Sequence, residues 1–189
     1  MHLQKVRKEE EKSGMKLFFD TEFTGLHKYT TLISLGIVSE DGREFYAELS
    51  DYDKTQCDDW IVKNVINNLQ ESSCYVGTKQ EVGQKLREWL KQFDEIQFIS
   101  DVCHYDFVLL IDLFGNAFDL PNNVSPTCHD INQDIARHYA ISECEAFNKS
   151  REEIVADLCS VPVNGRNHNA LYDAKVIRSI YHSINKEEK

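Results

Sequence analysis

The chain has 189 residues, of which 41% are hydrophobic, and this suits a single compact domain with one sizeable core. Its net charge of −11 argues against tight binding along a nucleic-acid duplex, because such binding is normally driven by clustered Lys and Arg. The six cysteines are widely spaced with no Cys-x-x-Cys pair, a pattern that suits neither a zinc site nor a disulfide-stapled secreted fold.

The N-terminal residues 1–14 differ in composition from the rest of the chain. They are dominated by Lys, Arg and Glu, and such a segment cannot bury enough apolar surface to offset its ordering entropy. The second of the two methionines, Met15, directly precedes the first predicted strand. We therefore predict a disordered or non-native extension at residues 1–14 and a single domain at residues 15–189.

Three strands are predicted at the start of this domain, at residues 16–20, 31–38 and 44–49. The Asp41-Gly42 pair between the second and third strands is a strong signal for a tight hairpin turn. The first part of the sheet is therefore predicted to be antiparallel.

In the remainder of the domain, predicted helices alternate with a further predicted strand. Helical periodicity marks residues 58–69 and 80–93, and residues 95–100 form an apolar run typical of a buried strand. One later helix is predicted to begin near Cys103, and two more are predicted at residues 130–139 and 169–184. This order predicts an α/β domain with a mixed five-stranded sheet, three antiparallel strands followed by parallel ones, and helices on both faces.

Two carboxylates, Asp20 and Glu22, stand two positions apart at the end of the first predicted strand. Alternate side chains of a strand point to the same face, so these two groups would repel each other at neutral pH. Hard divalent cations such as magnesium take oxygen ligands and would relieve that repulsion. The pair indicates a metal site, although a solvated strand end can carry the same pattern.

Two further segments carry titratable side chains. The pattern His-x-Ala-x-x-Asp at residues 168–173 places His168 just before the last predicted helix and Asp173 inside it. Asp106 interrupts an apolar run, where an uncompensated carboxylate would be costly. Asp101 is the alternative to Asp106, because it could bind metal itself or cap the following helix; we prefer Asp106.

In order and approximate spacing, these three segments resemble the exonuclease motifs of the DEDDh group of 3′→5′ exonucleases. The strings FFDTEFTGL at residues 18–26 and WIVKNVI at residues 60–66 are similar to one small branch, the compact bacterial and phage-type exoribonucleases. The resemblance implies an RNase H-like fold and two divalent ions, Mg²⁺ or Mn²⁺. It also implies these roles: metal ligands Asp20, Glu22, Asp106 and Asp173, and general base His168.

Within the resemblance, a stretch of four residues corresponds to the part that cradles the 3′-terminal nucleotide: Phe23, Thr24, Gly25 and Leu26. Gly25 would allow close approach of the backbone. Phe23 departs from the commoner Asp-x-Glu-Thr-Thr-Gly form, and either stacks on the terminal base or packs in the core.

The predicted function is that of a metal-dependent 3′→5′ exoribonuclease that acts on single-stranded or overhanging RNA 3′ ends and releases 5′-monophosphates. Two alternatives remain, a DNA 3′→5′ exonuclease and a non-catalytic module that binds metal or a nucleic-acid end.

Lys149, Arg151 and Arg166 flank the histidine and are candidates for phosphate contacts. The resemblance allows a homodimer. The absence of a signal peptide and of a long apolar segment predicts a cytoplasmic protein with free thiols and no membrane contact.

Overall fold

The computed structural model describes residues 14–70, 74–160 and 163–185. The strands are β1 (Met15–Phe23), β2 (Leu32–Ser39), β3 (Glu44–Leu49), β4 (Tyr75–Gly77), β5 (Ile96–Ser100) and β6 (Val124–Asp130). The helices are α1 (Asp59–Asn64), α2 (Lys79–Leu90), α3 (Cys103–Asp112), α4 (Asn132–Tyr139), α5 (Glu143–Asn148), α6 (Arg151–Leu158) and α7 (Ala170–Ile184). Except for Gly14, the predicted N-terminal extension lies outside the described residues.

The strands form one mixed sheet in the order β4-β3-β2-β1-β5-β6. β1, β2 and β3 pair antiparallel, whereas β4, β5 and β6 each join the sheet parallel to a neighbour. The predicted α/β class with antiparallel and then parallel strands is confirmed. The predicted count of five strands is wrong, because the part of the chain that the structure describes forms a sheet of six. β4 is only three residues long, and Pro126 and polar side chains interrupt the apolar pattern of β6, so periodicity does not mark either strand.

Helices cover both faces of β1, and this explains why three consecutive apolar residues can all be buried there. Leu17 and Phe19 face the layer that contains α2 and α3. Phe18 faces the opposite layer, which contains helices α4 to α7. A strand buried on both faces appears in the sequence as a continuous apolar run, and the run Leu17 to Phe19 has that form.

Because side chains of a strand alternate between its two faces, the residues at the polar end of β1 face different helical layers. Asp20 and Glu22 continue the face of Phe18 and therefore point toward the layer of α7. Thr21 lies between them and points toward the layer of α3. The end of β1 is thus the place where side chains from both helical layers meet.

Helix α7 lies directly on the sheet beside Asp20. In the β1–β2 ladder Asp20 pairs with Gly36, and a Cβ atom added at Gly36 would collide with the backbone of Ala170 and Leu171. Only glycine permits this close approach. The helix begins there because the side chain of Asn169 accepts a hydrogen bond from the Tyr172 N–H at 3.1 Å. The first turns of α7 are therefore held over the end of β1.

Within the described ranges, no helix is long and apolar enough to cross a membrane. The six cysteines are all free thiols, and five of them are partly buried.

Candidate active site

Three of the predicted carboxylates converge in the structure. Asp20 and Glu22 come from the end of β1, and Asp173 comes from the start of α7. One ligand oxygen from each of these residues lies within 4.8 Å of the other two. This spacing allows a single cation to contact all three side chains.

The carboxylate of Asp173 lies beside the backbone that precedes α7. The backbone N–H groups of His168 and Asn169 favour its charged form and so oppose the larger effect of burial, which raises its pKa. His168 has a positive φ of 61°, a left-handed conformation that is uncommon outside glycine. Such a turn lets successive N–H groups point toward one anion. The chain therefore enters α7 through a left-handed residue that directly precedes the N-cap, Asn169.

Asp106 approaches the cluster from the opposite helical layer. It is buried, and its carboxylate accepts hydrogen bonds from the hydroxyls of Thr21 at 2.5 Å and Ser100 at 2.6 Å. It lies outside the group of three, yet it is close enough to raise the pKa of Asp20. The structure therefore places Asp106 beside the cluster, bonded to Thr21, the strand residue between Asp20 and Glu22.

Asp101, the alternative to Asp106, is engaged elsewhere. Both of its oxygens pair with the guanidinium of Arg151, at 2.5 Å from Nε and 2.8 Å from Nη2, and it also accepts a hydrogen bond from Asn132. Arg151 donates further to the side chain of Asn132 and to the main-chain oxygens of Ala146 and Lys149. These bonds use all five N–H groups of the guanidinium, so Arg151 has none left for a phosphate.

The carboxylates are difficult to ionise together in the absence of a cation. Burial, followed by repulsion from Asp173 and Asp106, raises the pKa of Glu22 to about 8. Burial is also the main cause that raises the pKa of Asp106 and of Asp173 to about 7. The pKa of Asp20 is raised well above its usual range by burial and by the neighbouring carboxylates. A set of oxygen donors with unbalanced negative charge is what a hard divalent ion such as Mg²⁺ or Mn²⁺ requires.

His168 stands at the edge of the same cleft. Its ring contacts the ring of Trp60 edge to face, with the centroids 4.9 Å apart and the planes at 76°. Partial burial lowers the pKa of His168, and the nearby carboxylate of Glu152 opposes that shift. The imidazole is therefore mainly neutral at physiological pH and able to accept a proton.

The cleft around these residues has a volume of about 990 Å³, and it is large enough for more than a single metal ion. The carboxylates and His168 occupy one part of it. Helices α5, α6 and α7 also contribute apolar lining residues, which we call the apolar wall: Phe147, Val155, Ala156, Val176 and Ile177. An apolar wall beside a charged cluster suits a ligand that has both flat rings and phosphate groups.

All four residues predicted to bind the terminal nucleotide line this cleft: Phe23, Thr24, Gly25 and Leu26. Leu26 is 78% exposed and can contact a ligand with its side chain. The hydroxyl of Thr24 is buried, donates to Gln56 at 2.6 Å and accepts from the Thr31 N–H at 2.9 Å, so it shapes the loop. The Phe23 ring stacks on Tyr105, with the centroids 5.5 Å apart and the planes at 18°.

Several cleft residues were not assigned a role from the sequence. Trp60 lies in the string WIVKNVI, and Tyr105 directly precedes Asp106 in the apolar run. Glu152 lines the cleft and accepts a hydrogen bond from the side chain of Asn167. No local pattern marks these residues, because their position depends on elements that are distant in sequence.

The topology of this chain is that of solved nucleases of the DEDDh type. The fold matches the nuclease domain of 3'hExo, a DEDDh family member solved with rAMP, with a TM-score of 0.67, 16% identity and coverage of 90% of this chain and 91% of that one. It also matches a 3'-exonuclease from a structure of 3'-end recognition of the histone mRNA stem-loop, with a TM-score of 0.65, 14% identity and coverage of 89% and 62%.

More specifically, the chain belongs to the 3'-5' exoribonuclease Rv2179c-like domain family, whose model matches residues 15–185. Two curated relatives, 3'-5' exoribonuclease Rv2179c and 3'-5' exoribonuclease MT2234.1, come from two strains of Mycobacterium tuberculosis. Each is 32% identical to this chain over 122 residues, which cover 63% of this chain and 73% of the relative.

Proposed function

We propose that the protein is a 3′→5′ exoribonuclease that uses two divalent ions, Mg²⁺ or Mn²⁺, to hydrolyse RNA from its 3′ end. Asp20, Glu22 and Asp173 hold the ions, Asp106 completes the set, and His168 is the general base. The main support is the convergence of three carboxylate oxygens within 4.8 Å in the cleft that also contains His168. Membership of an exoribonuclease family supports RNA as the substrate.

Each group has a distinct task in this proposal. When bound, the two ions activate the attacking water and stabilise the departing 3′-oxygen. His168, neutral at physiological pH, takes the proton that the water loses as it attacks phosphorus. Leu26 and Phe147, whose side chains are 78% and 56% exposed, offer apolar surface to the bases of the last nucleotides. The product of each cycle is a nucleoside 5′-monophosphate and an RNA shortened by one residue.

The apolar wall also bears on sequence preference. Its side chains offer no donors or acceptors to the edges of bases, so stacking and van der Waals contact dominate there. We propose that the enzyme shortens RNA with little regard for base identity.

We also propose a cytoplasmic location, which the six free thiols support, and a homodimer, which light scattering on the purified protein would test.

The decisive experiment compares 5′-labelled single-stranded RNA with DNA of identical sequence, in Mn²⁺, in Mg²⁺ and in chelator, with Asp20→Ala as the inactive control. We expect a ladder that shortens from the 3′ end of the RNA and is absent in chelator and with the variant. Equal or faster shortening of DNA would favour a DNA exonuclease. Metal-dependent binding of the strands without cleavage would favour a non-catalytic module.

A further inference from the structure

The loop that carries His168 is bonded on both sides of the histidine to a single residue of another element. This residue is Asn68, in the 3₁₀ turn Ile66–Asn68 that follows α1. Its side-chain amide donates to the main-chain oxygen of Asn167 at 3.2 Å, and its main-chain oxygen accepts from the side-chain amide of Asn169 at 3.4 Å. Asn68 therefore contacts the residue before His168 and the residue after it.

The turn that contains Asn68 is itself firmly anchored. The Asn68 amide also donates to the main-chain oxygen of Asn64, at the end of α1. Two residues further on, the Gln70 N–H donates to Glu48 at 2.5 Å, and Glu48 is only 2% exposed on β3. The hydroxyl of Tyr46 donates to the same Glu48 oxygen at 2.8 Å. Asn68 thus connects the histidine loop to the rigid sheet.

The backbone of His168 needs such support. A positive φ is unfavourable for a residue other than glycine, and it persists only where surrounding contacts determine the conformation. Asn68 supplies contacts on one side of the loop. Asn167 also donates to Glu152 of α6, and the ring of His168 contacts Trp60 of α1. α1 therefore supports the ring, and the turn that follows it supports the backbone.

We propose that Asn68 is a positioning residue, which holds His168 in the backbone conformation that directs its imidazole toward the attacking water. This inference rests on the proposed role of His168 as general base. Displacement of a catalytic group by about 1 Å can cost about 100-fold in rate. The Asn68→Ala variant should therefore lose about 10- to 100-fold in kcat on RNA, with KM and Mn²⁺ uptake almost unchanged.

The chain offers a matched control in Asn64, which lies four residues earlier. Among the described residues its side chain donates only to the main-chain oxygen of Trp60, within the first helix, so Asn64→Ala removes a similar amide without removing a bond to the loop. Asn68→Asp is a nearly isosteric second variant that removes the donor while keeping the volume, and it should lose as much kcat as Asn68→Ala. Thermal unfolding of each variant checks that it is folded.

A double-mutant cycle separates positioning from a general loss of structure. If Asn68 acts through His168, adding Asn68→Ala to His168→Ala should cause no further loss of kcat. A structural role independent of the histidine would multiply the two losses. Multiplied losses, or an Asn68→Ala enzyme as active as Asn64→Ala, would overturn the proposal.

A second measurement does not depend on catalysis. In the wild type and in Asn64→Ala, NMR should show a nuclear Overhauser contact between the ring protons of Trp60 and His168, and Asn68→Ala should weaken or abolish it. An unchanged contact in Asn68→Ala would contradict the positioning role. If the wild type failed to cleave RNA, the proposed function would fail, while the NMR result would still decide whether Asn68 holds the loop.

Discussion

The hydroxyl of Thr21 donates a hydrogen bond of 2.5 Å to the carboxylate of Asp106, which lies 85 positions further along the chain. Thr21 is the strand residue between Asp20 and Glu22, and it points to the opposite face of the sheet. One short strand segment therefore supplies two carboxylates on one face and the support for a third carboxylate on the other.

The first prediction concerns this hydrogen bond. Thr21→Val keeps the shape of the side chain but leaves Asp106 with the Ser100 hydroxyl as its one remaining donor among the described side chains. Partners that orient metal ligands typically contribute 10- to 100-fold in metal affinity or activity. We expect Mn²⁺ affinity, measured by calorimetry, to fall about tenfold. The control is Thr127→Val, because Thr127 is exposed and its hydroxyl bonds to Ser125. Equal affinities of the two variants would contradict the prediction.

The candidate site residues whose arrangement sequence patterns can indicate are those whose geometry is local. Asp20 and Glu22 share a face because a strand alternates with period two, and Asp173 follows His168 at a spacing that the helix start determines. The preference for Asp106 depended on its apolar neighbours, and the structure buries it while Arg151 pairs with the alternative, Asp101. In each case a few adjacent residues carry the information.

The features that could not be predicted join distant parts of the chain. The bonds from Arg151 to Asp101, and from Asn68 to Asn167, connect elements whose approach depends on the finished sheet. Helices α5 and α6 were also missed, because a helix of six or eight residues gives too few turns for a clear apolar face. They supply part of the cleft wall, so the shape of the site was beyond what periodicity can indicate.

The second prediction concerns the contact between Gly36 and α7. Gly36→Ala introduces a methyl group where the backbone of Ala170 and Leu171 already lies, so the start of the helix must move. Overpacking of this kind costs about 1–3 kcal/mol in the free energy of unfolding, which urea denaturation would measure. Because Asp173 moves with the helix, Mn²⁺ affinity should fall as well. A stable variant with normal Mn²⁺ affinity would show that the sheet and α7 adapt without displacing the site.

The third prediction is a pH dependence of the metal-free protein. The folded state raises the pKa of Glu22 to about 8 and those of Asp106 and Asp173 to about 7, whereas carboxylates of an unfolded chain titrate near pH 4. Their contribution to stability is complete below about pH 4 and is lost as the pH rises through 7 and 8. In chelator, calorimetry should show a lower Tm at pH 8 than at pH 5.5.

Two further arms of that experiment identify the carboxylates as the cause. Mn²⁺ should restore the Tm at pH 8, because bound cations replace the missing protons. Asp20→Asn removes one charge from the cluster and should reduce the difference in Tm between the two pH values. If the variant showed the same pH dependence as the wild type, the effect would come from other groups.

The fourth prediction separates the role of His168 from that of Asp20. His168→Ala should take up Mn²⁺ normally in calorimetry and lose most of its turnover, because a general base contributes typically 10²- to 10⁴-fold. Asp20→Ala should lose both metal uptake and turnover, because its carboxylate lies within the group that a cation can bridge. Normal Mn²⁺ uptake by Asp20→Ala would refute this division of roles.

The last prediction follows from the charge of the cleft. Among the described residues that line it, seven are acidic: Asp20, Glu22, Asp58, Asp101, Asp106, Glu152 and Asp173. Arg151 is the one Arg or Lys in that lining, and its N–H groups are all used within the protein. The described part of the cleft therefore offers a phosphate no uncommitted Arg or Lys side chain, and bound cations must supply the attraction.

RNA binding, and not only cleavage, should therefore require metal. His168→Ala allows the measurement because it keeps the RNA intact, and fluorescence anisotropy of a labelled RNA would report its affinity. We expect binding in Mn²⁺ or Mg²⁺ that is weaker by about tenfold or more in chelator. The double variant Asp20→Ala, His168→Ala in Mn²⁺ should behave like His168→Ala in chelator. Equal affinity with and without metal would mean that Lys and Arg side chains outside the cleft hold the RNA.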